Sequence, residues 1–247
     1  MSIPRFLCPP PLHWDTLFEL PPQAAHHAHR VLRLRVHDKV QVFDGAGMAY
    51  DAAIAQINGR QVVLGAPTSQ VMERPARLPI TLAQALCSSE KMDWVVQKAT
   101  ELGAAEIVPV QTQRSVARLS GERAERRTRH WHEVASAACE QCGRNHLPQV
   151  HAPQDFTTWL AQMRDTGVTR LILLPQATTS LHAVPAPQGA LTLLVGPEGG
   201  FSAEEVQLAQ QAGFLPVRLG TPVLRTETAA IAGLAALQTL WGDFGAA

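Results

Sequence analysis

LTLLVGPEGGFSAEE, Leu191 to Glu205, decides the fold, and LGTPVLRTETA, Leu219 to Ala229, repeats its logic. The first stretch runs from an apolar segment through a Gly-Pro-Glu-Gly-Gly turn into a helix start. Ser202 and Glu205 stand at the spacing of a capping box, and Phe201 and Val206 at the positions of a hydrophobic staple. The second has a turn with Gly220 and Pro222, then Arg225, then Glu227 between two threonines, then an Ala/Leu-rich helix. Two glycine-hinged loops, each between a buried strand and a helix, meet at one edge of a parallel sheet. Open α/β sheets bind their ligands at that edge.

Outward from these loops the pattern stays strand-then-helix, the signature of a parallel sheet. Strands are expected at Ile80–Leu86, Ile107–Val110, Arg170–Leu174, Leu191–Val195 and Phe214–Leu219. Helices are expected after Ser88 or Ser89, over Glu122–Cys142, over Phe156–Met163, after Ser202 and over Thr226–Leu240. Met92, Val95, Val96, Ala99 and Leu102 share one face of the first of these, which Gly103 ends. The last is apolar on nearly every side, so it is buried in the core or in a subunit interface.

The N-terminal part has a different period. VQVFD, AYDAAIAQI and QVVLGA lie between Val40 and Ala66, separated by Asp44–Gly47 and by Asn58-Gly59, a strong hairpin signal. A small antiparallel β domain, a barrel, is expected there. Pro9-Pro10-Pro11 and Pro21-Pro22 keep the approach irregular. One helix is expected over Pro22–Leu34, with Val31, Leu32 and Leu34 inward and its arginines outward. A proline-containing linker at 67–79 shows little hydrophobic pattern. It divides the chain into residues 1–72 and 73–247.

Hydrophobic residues make up 46% of the 247, enough for a sizeable core. The longest apolar run, Ala190–Val195, is far short of a membrane span. The N-terminus has no long apolar core, so no signal peptide is expected and a cytoplasmic location is. Lys+Arg and Asp+Glu are both 21, which by itself argues mildly against a nucleic-acid partner. The charge is uneven, however. Arg114, Arg118, Arg123, Arg126, Arg127 and Arg129 face only Glu122 and Glu125 between Gln111 and His132, and Arg30, Arg33 and Arg35 sit among four histidines with only Asp38. Local basic patches and a solvated helix face are equally good readings of the first run. Cys139 and Cys142 form a lone CxxC that closes a helix. It lacks the further ligands of a zinc site and the helix-opening position of a redox motif. No metal site is expected.

The Gly196–Gly200 turn lacks the Gly-Lys-Ser/Thr end of a P-loop, the GxGxxG of a dinucleotide site and the G-x-S-x-G of a nucleophile elbow. One glycine would suffice for a tight strand-to-helix turn. The surplus points to a ligand read through backbone groups, such as an adenine. Glu198 at the apex is either a solvated carboxylate or a stabiliser of positive charge such as a sulfonium. The helix dipole accounts for Glu227. Nothing so simple accounts for Arg225, which wants an anion or a fixed carboxylate.

GPEGGFSAEE and LGTPVLRTETA resemble motifs of the bacterial 16S ribosomal RNA uracil-N3-methyltransferases, within the trefoil-knotted SPOUT superfamily. His29-Arg30-Val31-Leu32-Arg33, Gln97 to Gly103, Arg114-Ser115 and Glu140 to Arg144 are similar to four further motifs of that family, in order and across nearly the whole chain. The resemblance implies an α/β fold: a C-terminal parallel-sheet domain with a deep trefoil knot, and a small N-terminal PUA-like β-barrel that helps hold RNA. It implies S-adenosylmethionine as cofactor, held by Leu174, by Gly196, Pro197, Glu198, Gly199 and Gly200, and by Leu219, Gly220, Val223, Leu224, Arg225 and Thr226. Arg225, Glu198 and Glu227 are the candidate catalytic residues, and Arg30, Arg33, Arg114 and Arg144 the candidates for holding RNA. The substrate implied is 16S rRNA, within the small ribosomal subunit, and the enzyme is a homodimer. A knotted methyltransferase for tRNA or a ribose hydroxyl and a non-catalytic ribosome-assembly factor are the rival readings. One departure stands out: Cys87-Ser88-Ser89 occupies the place of the family's frequent Pro-Lys-Gly, so a basic contact to RNA or to the active site is either absent or replaced by Lys91.

Overall fold

The computed structural model describes residues 3–8, 10, 12, 14, 16–163 and 167–245. Pro9 and Pro11 of the expected irregular approach lie outside them. The chain forms two compact units, one of residues 1–75 with 136–147, the other of residues 76–135 with 148–247.

In the first unit β1 (Arg5–Leu7), β2 (Phe18–Glu19), β3 (Lys39–Phe43), β4 (Met48–Asn58), β5 (Gln61–Leu64) and β6 (Ser69–Met72) form a six-stranded sheet in the order β1-β3-β4-β5-β2, with β6 also on β4. All pairs are antiparallel except β1 with β3. The Asn58-Gly59 signal marks the β4–β5 hairpin, where Gly59 takes φ +63°. Alternate residues of β3 to β5 face one core: Val40, Val42, Ile54, Val62 and Leu64 pack with Phe6, Leu20 and alanines of the helix α1 (Pro22–His26). Each large apolar side chain removed from water contributes about 1.5–3 kcal/mol.

Two expectations fail here. The helix does not run to Leu34. It is α1 followed by one π-helical turn, His27–Val31, after which Arg33 takes φ +55°. That left-handed residue turns the chain away. Val31 and Leu32 are left 59% and 42% exposed, and only Leu34 packs on the core. The supposed linker also contains a strand. β6 pairs with Met48–Asp51, yet all four of its side chains are exposed, so it carries no hydrophobic alternation.

The second unit follows the expected period. Its elements are β7 (Ile80–Ala85), α2 (Ser89–Glu101), β8 (Glu106–Gln111), α3 (Gly121–Cys142, of which the part from Ser136 belongs to the first unit), β9 (Gln149–Val150), β10 (Gln154–Asp155), α4 (Phe156–Ala161), β11 (Thr169–Leu173), β12 (Leu191–Val195), α5 (Ala203–Gln211), β13 (Leu215–Val217) and α6 (Thr226–Leu240). The strand order is β10-β8-β7-β12-β11-β13, with β9 beside β8, and every pair is parallel. The central strand β12 is buried at all five residues, as a sheet covered on both faces requires. α6 lies against α2 and over β7 and β12. α5 opens with the expected capping box: Ser202 Oγ accepts the Glu205 N–H, and Glu205 accepts the Ser202 N–H. Because all strands run one way, the loops after β7, β11, β12 and β13 emerge at one edge.

Of the cysteines, Cys8, Cys87 and Cys139 are buried and Cys142 is exposed. Burial pushes each of the three buried thiols up to about 12. No helix among the described residues is long and apolar enough to cross a membrane.

Candidate active site

The loops after β11, β12 and β13 surround a cavity of about 640 Å³. Leu174, Gly196, Pro197, Glu198, Gly199, Gly200, Leu219, Gly220, Val223, Leu224, Arg225 and Thr226 all line it. Three stretches separated by up to 50 residues in the chain thus share one wall because their strands are parallel neighbours. Arg114, expected to grip RNA, lines the same cavity. Arg30 and Arg33 lie in the first unit and are exposed, and Arg144 belongs to that unit too, at the end of α3.

The glycines of the turn have a reason that the sequence did not show. A Cβ on Gly196 would stand 2.9 Å from the Phe201 ring, and one on Gly199 3.1 Å from the Arg114 Cβ, while Gly200 has φ +67°. The chain's own packing therefore uses up the surplus, and the glycine count alone does not require a ligand.

Polar contacts fix the same turn. Arg114 donates to the Gly199 carbonyl at 3.0 Å. Its position is set in turn by Glu205, which accepts the Gln113 N–H at 2.6 Å while serving as the cap of α5. The Thr226 hydroxyl donates to the Gly196 carbonyl at 2.5 Å and accepts from Gln84 Nε2 at 2.9 Å. Gln84 is fully buried in β7. A polar residue inside the apolar strand ITLAQA was the available signal for it; its partner, 142 positions on, was not.

Lys91, in the first turn of α2, joins the two candidate carboxylates. Its Nζ lies 3.1 Å from Glu198 Oε1 and 3.4 Å from Glu227 Oε2. Glu227 Oε2 is buried and makes no hydrogen bond, so this ion pair is its compensation. Glu198 also accepts the Ser88 N–H at 3.4 Å. Burial pushes the Glu198 carboxyl up, but its own backbone N–H, Lys91 and the Ser88 N–H outweigh that and hold it below the ordinary carboxylate range. The hydrogen bond that Lys91 donates to Glu198 correspondingly raises Lys91. Arg225 is the N-cap residue of α6, lines the cavity and is exposed, and its side chain has no hydrogen-bond or ion-pair partner among the described residues. Arg218 also lines the cavity, and its side chain likewise makes no hydrogen bond or ion pair among the described residues. The site thus has two carboxylates on one ammonium and two unengaged guanidinium groups. Among the described residues no cluster of His, Cys, Asp or Glu could hold a metal ion.

The family described as RNA methyltransferase domain matches residues 74–238, and that described as RNA methyltransferase PUA domain matches residues 20–65. The chain is 31% identical over 98% of its length to the ribosomal RNA small subunit methyltransferase E of Buchnera aphidicola from Schizaphis graminum, covering 98% of that protein. It is 34% identical, over 87% of its length and 83% of the relative's, to the protein of the same name from Mycobacterium tuberculosis. The crystal structure of a ribosomal RNA small subunit methyltransferase E from Neisseria gonorrhoeae, bound to S-adenosyl methionine, superposes with a TM-score of 0.91 at 36% identity, over 98% of this chain and 100% of that one. A Legionella pneumophila protein solved with bound SAM gives 0.92 at 35%, over 99% and 100%. With a methyltransferase α/β unit behind a PUA unit, and relatives matched nearly end to end, this chain belongs to the ribosomal RNA small subunit methyltransferase E family.

Proposed function

We propose that this chain transfers the methyl group of S-adenosylmethionine to N3 of one uridine in 16S rRNA, acting on the small ribosomal subunit. The observation that carries the reading is the convergence of three loops on one cavity, in a chain of the fold whose Neisseria relative was crystallised with that cofactor. The residues present fit the group. The cavity is of the size that holds such ligands. Leu174, Val223 and Leu224 offer apolar walls for a flat base, the Gly196–Gly200 and Leu219–Gly220 backbones offer polar groups, and the Glu198 carboxylate suits a sulfonium. When bound, the cofactor supplies the methyl group as an electrophile.

Uracil N3 is a poor nucleophile until its proton leaves, so the protein must favour the anion. Arg225 is the candidate for this role, being cationic, unengaged and beside Thr226, which holds the Gly196 carbonyl; Arg218 is the other unengaged guanidinium at the cavity. Glu198 is held ionised by Lys91 and is therefore a weak base. Its role is electrostatic and positional. Glu227 holds Lys91 in place. Arg114 and Thr226 keep the Gly196–Gly200 turn fixed, so that the pocket needs little reorganisation. Cys87, its thiol pushed up to about 12 by burial, is no nucleophile at neutral pH.

The chain path supports the knot implied by the resemblance: β12 inserts between β7 and β11, β13 lies at the far side, and the chain then returns to lay α6 on α2. The apolar α6, followed by Phe244 at 55% exposure, supports a homodimer. The zero net charge favours an assembled particle over naked RNA as substrate, and that substrate places the enzyme in the cytoplasm. Calorimetric titration with S-adenosylmethionine, then methylation of unmodified small subunits with nucleoside mass analysis, tests the reading. Binding with formation of 3-methyluridine is expected. Binding without that product overturns the substrate, and absence of binding overturns the cofactor.

A further inference from the structure

The basic run after Gly121 has no part in the chemistry above. On α3, Arg123, Arg126, Arg127 and His130 stand at i, i+3, i+4 and i+7, one face of a helix, while Glu122, Glu125 and Arg129 lie round the other side. The near balance of charge along the sequence is therefore a separation of charge between faces. The basic face lines a second pocket of about 450 Å³, whose other wall includes Leu86, Cys87 and Ser89.

The basic side chains of this pocket are unequal. Asp93 fixes two of them: Arg127 lies 3.1 Å from its Oδ1, where Trp131 Nε1 also donates at 3.1 Å, and His130 Nε2 lies 2.9 Å from its Oδ2. Arg127 sits 5.3 Å from the centre of the Trp131 ring. Arg123 and Arg126 are exposed, and their side chains have no hydrogen-bond or ion-pair partner among the described residues. Two free guanidinium groups beside a fixed one, in a hollow, are complementary to an anion with many acceptor oxygens. From Arg123 to His130 the helix rises about 10 Å, which suits a short run of repeated anionic groups better than a single carboxylate.

The place matters as much as the charge. Cys87 and Ser89 line this pocket, while Ser88 between them donates its N–H to Glu198, and Lys91 lines the first cavity. The start of α2 thus links the two hollows, Ser89 lining the second and Lys91 the first.

We propose that the pocket of Arg123, Arg126 and Arg127 holds backbone phosphates of the RNA strand, immediately beside the nucleotide whose base enters the first cavity. This rests on the reading of the first cavity as a methyl-transfer site for RNA. It assigns to α3 a sequence-independent grip that positions the strand without touching the base.

The test uses the full chain, the double variant Arg123→Ala/Arg126→Ala and its conservative counterpart Arg123→Lys/Arg126→Lys. Equilibrium binding of unmodified small ribosomal subunits is measured over a range of KCl concentrations, alongside calorimetric titration with S-adenosylmethionine and thermal melting. The alanine pair is expected to flatten the slope of log K against log salt by about 1.4–1.8, since each phosphate contact contributes about 0.7–0.9. The lysine pair keeps the slope, and cofactor affinity and melting stay as in the parent. An alanine pair that binds RNA with the parent's slope overturns the proposal, as does an equal loss from Arg129→Ala, outside the pocket. A parent that binds RNA, loses the slope with the alanine pair and yet forms no 3-methyluridine upholds the pocket and overturns the proposed reaction. A parent that methylates while the alanine pair binds unchanged overturns the pocket alone.

Discussion

Two loops face each other across the first cavity and are built in opposite ways. The Gly196–Phe201 turn is tied at nearly every residue: Gly196 by the Thr226 hydroxyl and the Phe201 ring, Glu198 by Lys91 and the Ser88 N–H, Gly199 by Arg114. The stretch Leu219–Leu224 has no hydrogen bond of its own among the described residues, and Val223 at its tip is 78% exposed. The first loop is finished before any ligand arrives. The second leaves apolar surface for a ligand to cover, and the Arg225 side chain follows it without a partner among the described residues. A site of this kind keeps its geometry on one wall and draws ligand-dependent burial from the other.

The strongest way to break the contrast is at Gly196. In Gly196→Ala the new methyl must displace the Phe201 ring, which packs on Phe156 at 5.8 Å. Overpacking of this kind costs about 1–3 kcal/mol. A melting point lower by several degrees and loss of cofactor binding in calorimetry are expected, with partial recovery on adding Phe201→Leu. A variant that melts and binds like the parent would show the first loop to be loose.

Next in size is Arg225→Ala. Losing this cation should lower the methylation rate about 10²–10³-fold, the usual effect of removing one donor that stabilises developing charge. Melting and cofactor affinity should not change. Loss of cofactor affinity with an unchanged rate would move Arg225 from the uracil to the cofactor.

Glu198→Gln sharpens the comparison through pH. The carboxyl is held below its ordinary range in the folded chain, so its stabilising contribution is present above its unfolded value and is lost as pH falls through the folded one. The melting difference between parent and variant should stay constant from pH 7 to pH 5 and close below about pH 4. A difference that persists unchanged to pH 2 would mean that Lys91 does not hold Glu198.

The smallest effect is expected at Val223→Ser. An exposed tip contributes within about 0.5 kcal/mol to stability, so melting should not move. Affinity for S-adenosylmethionine should fall about fivefold if a ligand buries that side chain. Equal affinity would show that the second loop is not covered on binding.

The sequence made the first loop legible and the second only partly so, for a physical reason. Caps, staples and the alternation of buried strands are local, and Ser202, Glu205, Phe201 and Val206 declared themselves within five positions. The bonds that finish the site are not local: Gln84 with Thr226, Lys91 with Glu198 and Glu227, Arg114 with Gly199. Each needs the sheet order before it can be foreseen. β6 was illegible for a different reason, since a strand with four exposed side chains carries no periodic signal. Val31 and Leu32 misled because apolar character alone does not bury a residue when the next one, Arg33, turns the backbone left-handed.

The order of the strands also bears on how the protein is made. Ile80 pairs with Leu191, so the central strand pair β7–β12 joins positions 111 residues apart, from residue 80 to residue 191. At a synthesis rate of about 5–20 residues per second, β7 leaves the ribosome roughly 6–20 s before its partner. During that interval β7 can acquire β8 on one side while its other, apolar edge waits unpaired. A nascent chain of this fold therefore offers chaperones and proteases a defined window of access, one that closes only when Leu191–Val195 emerges.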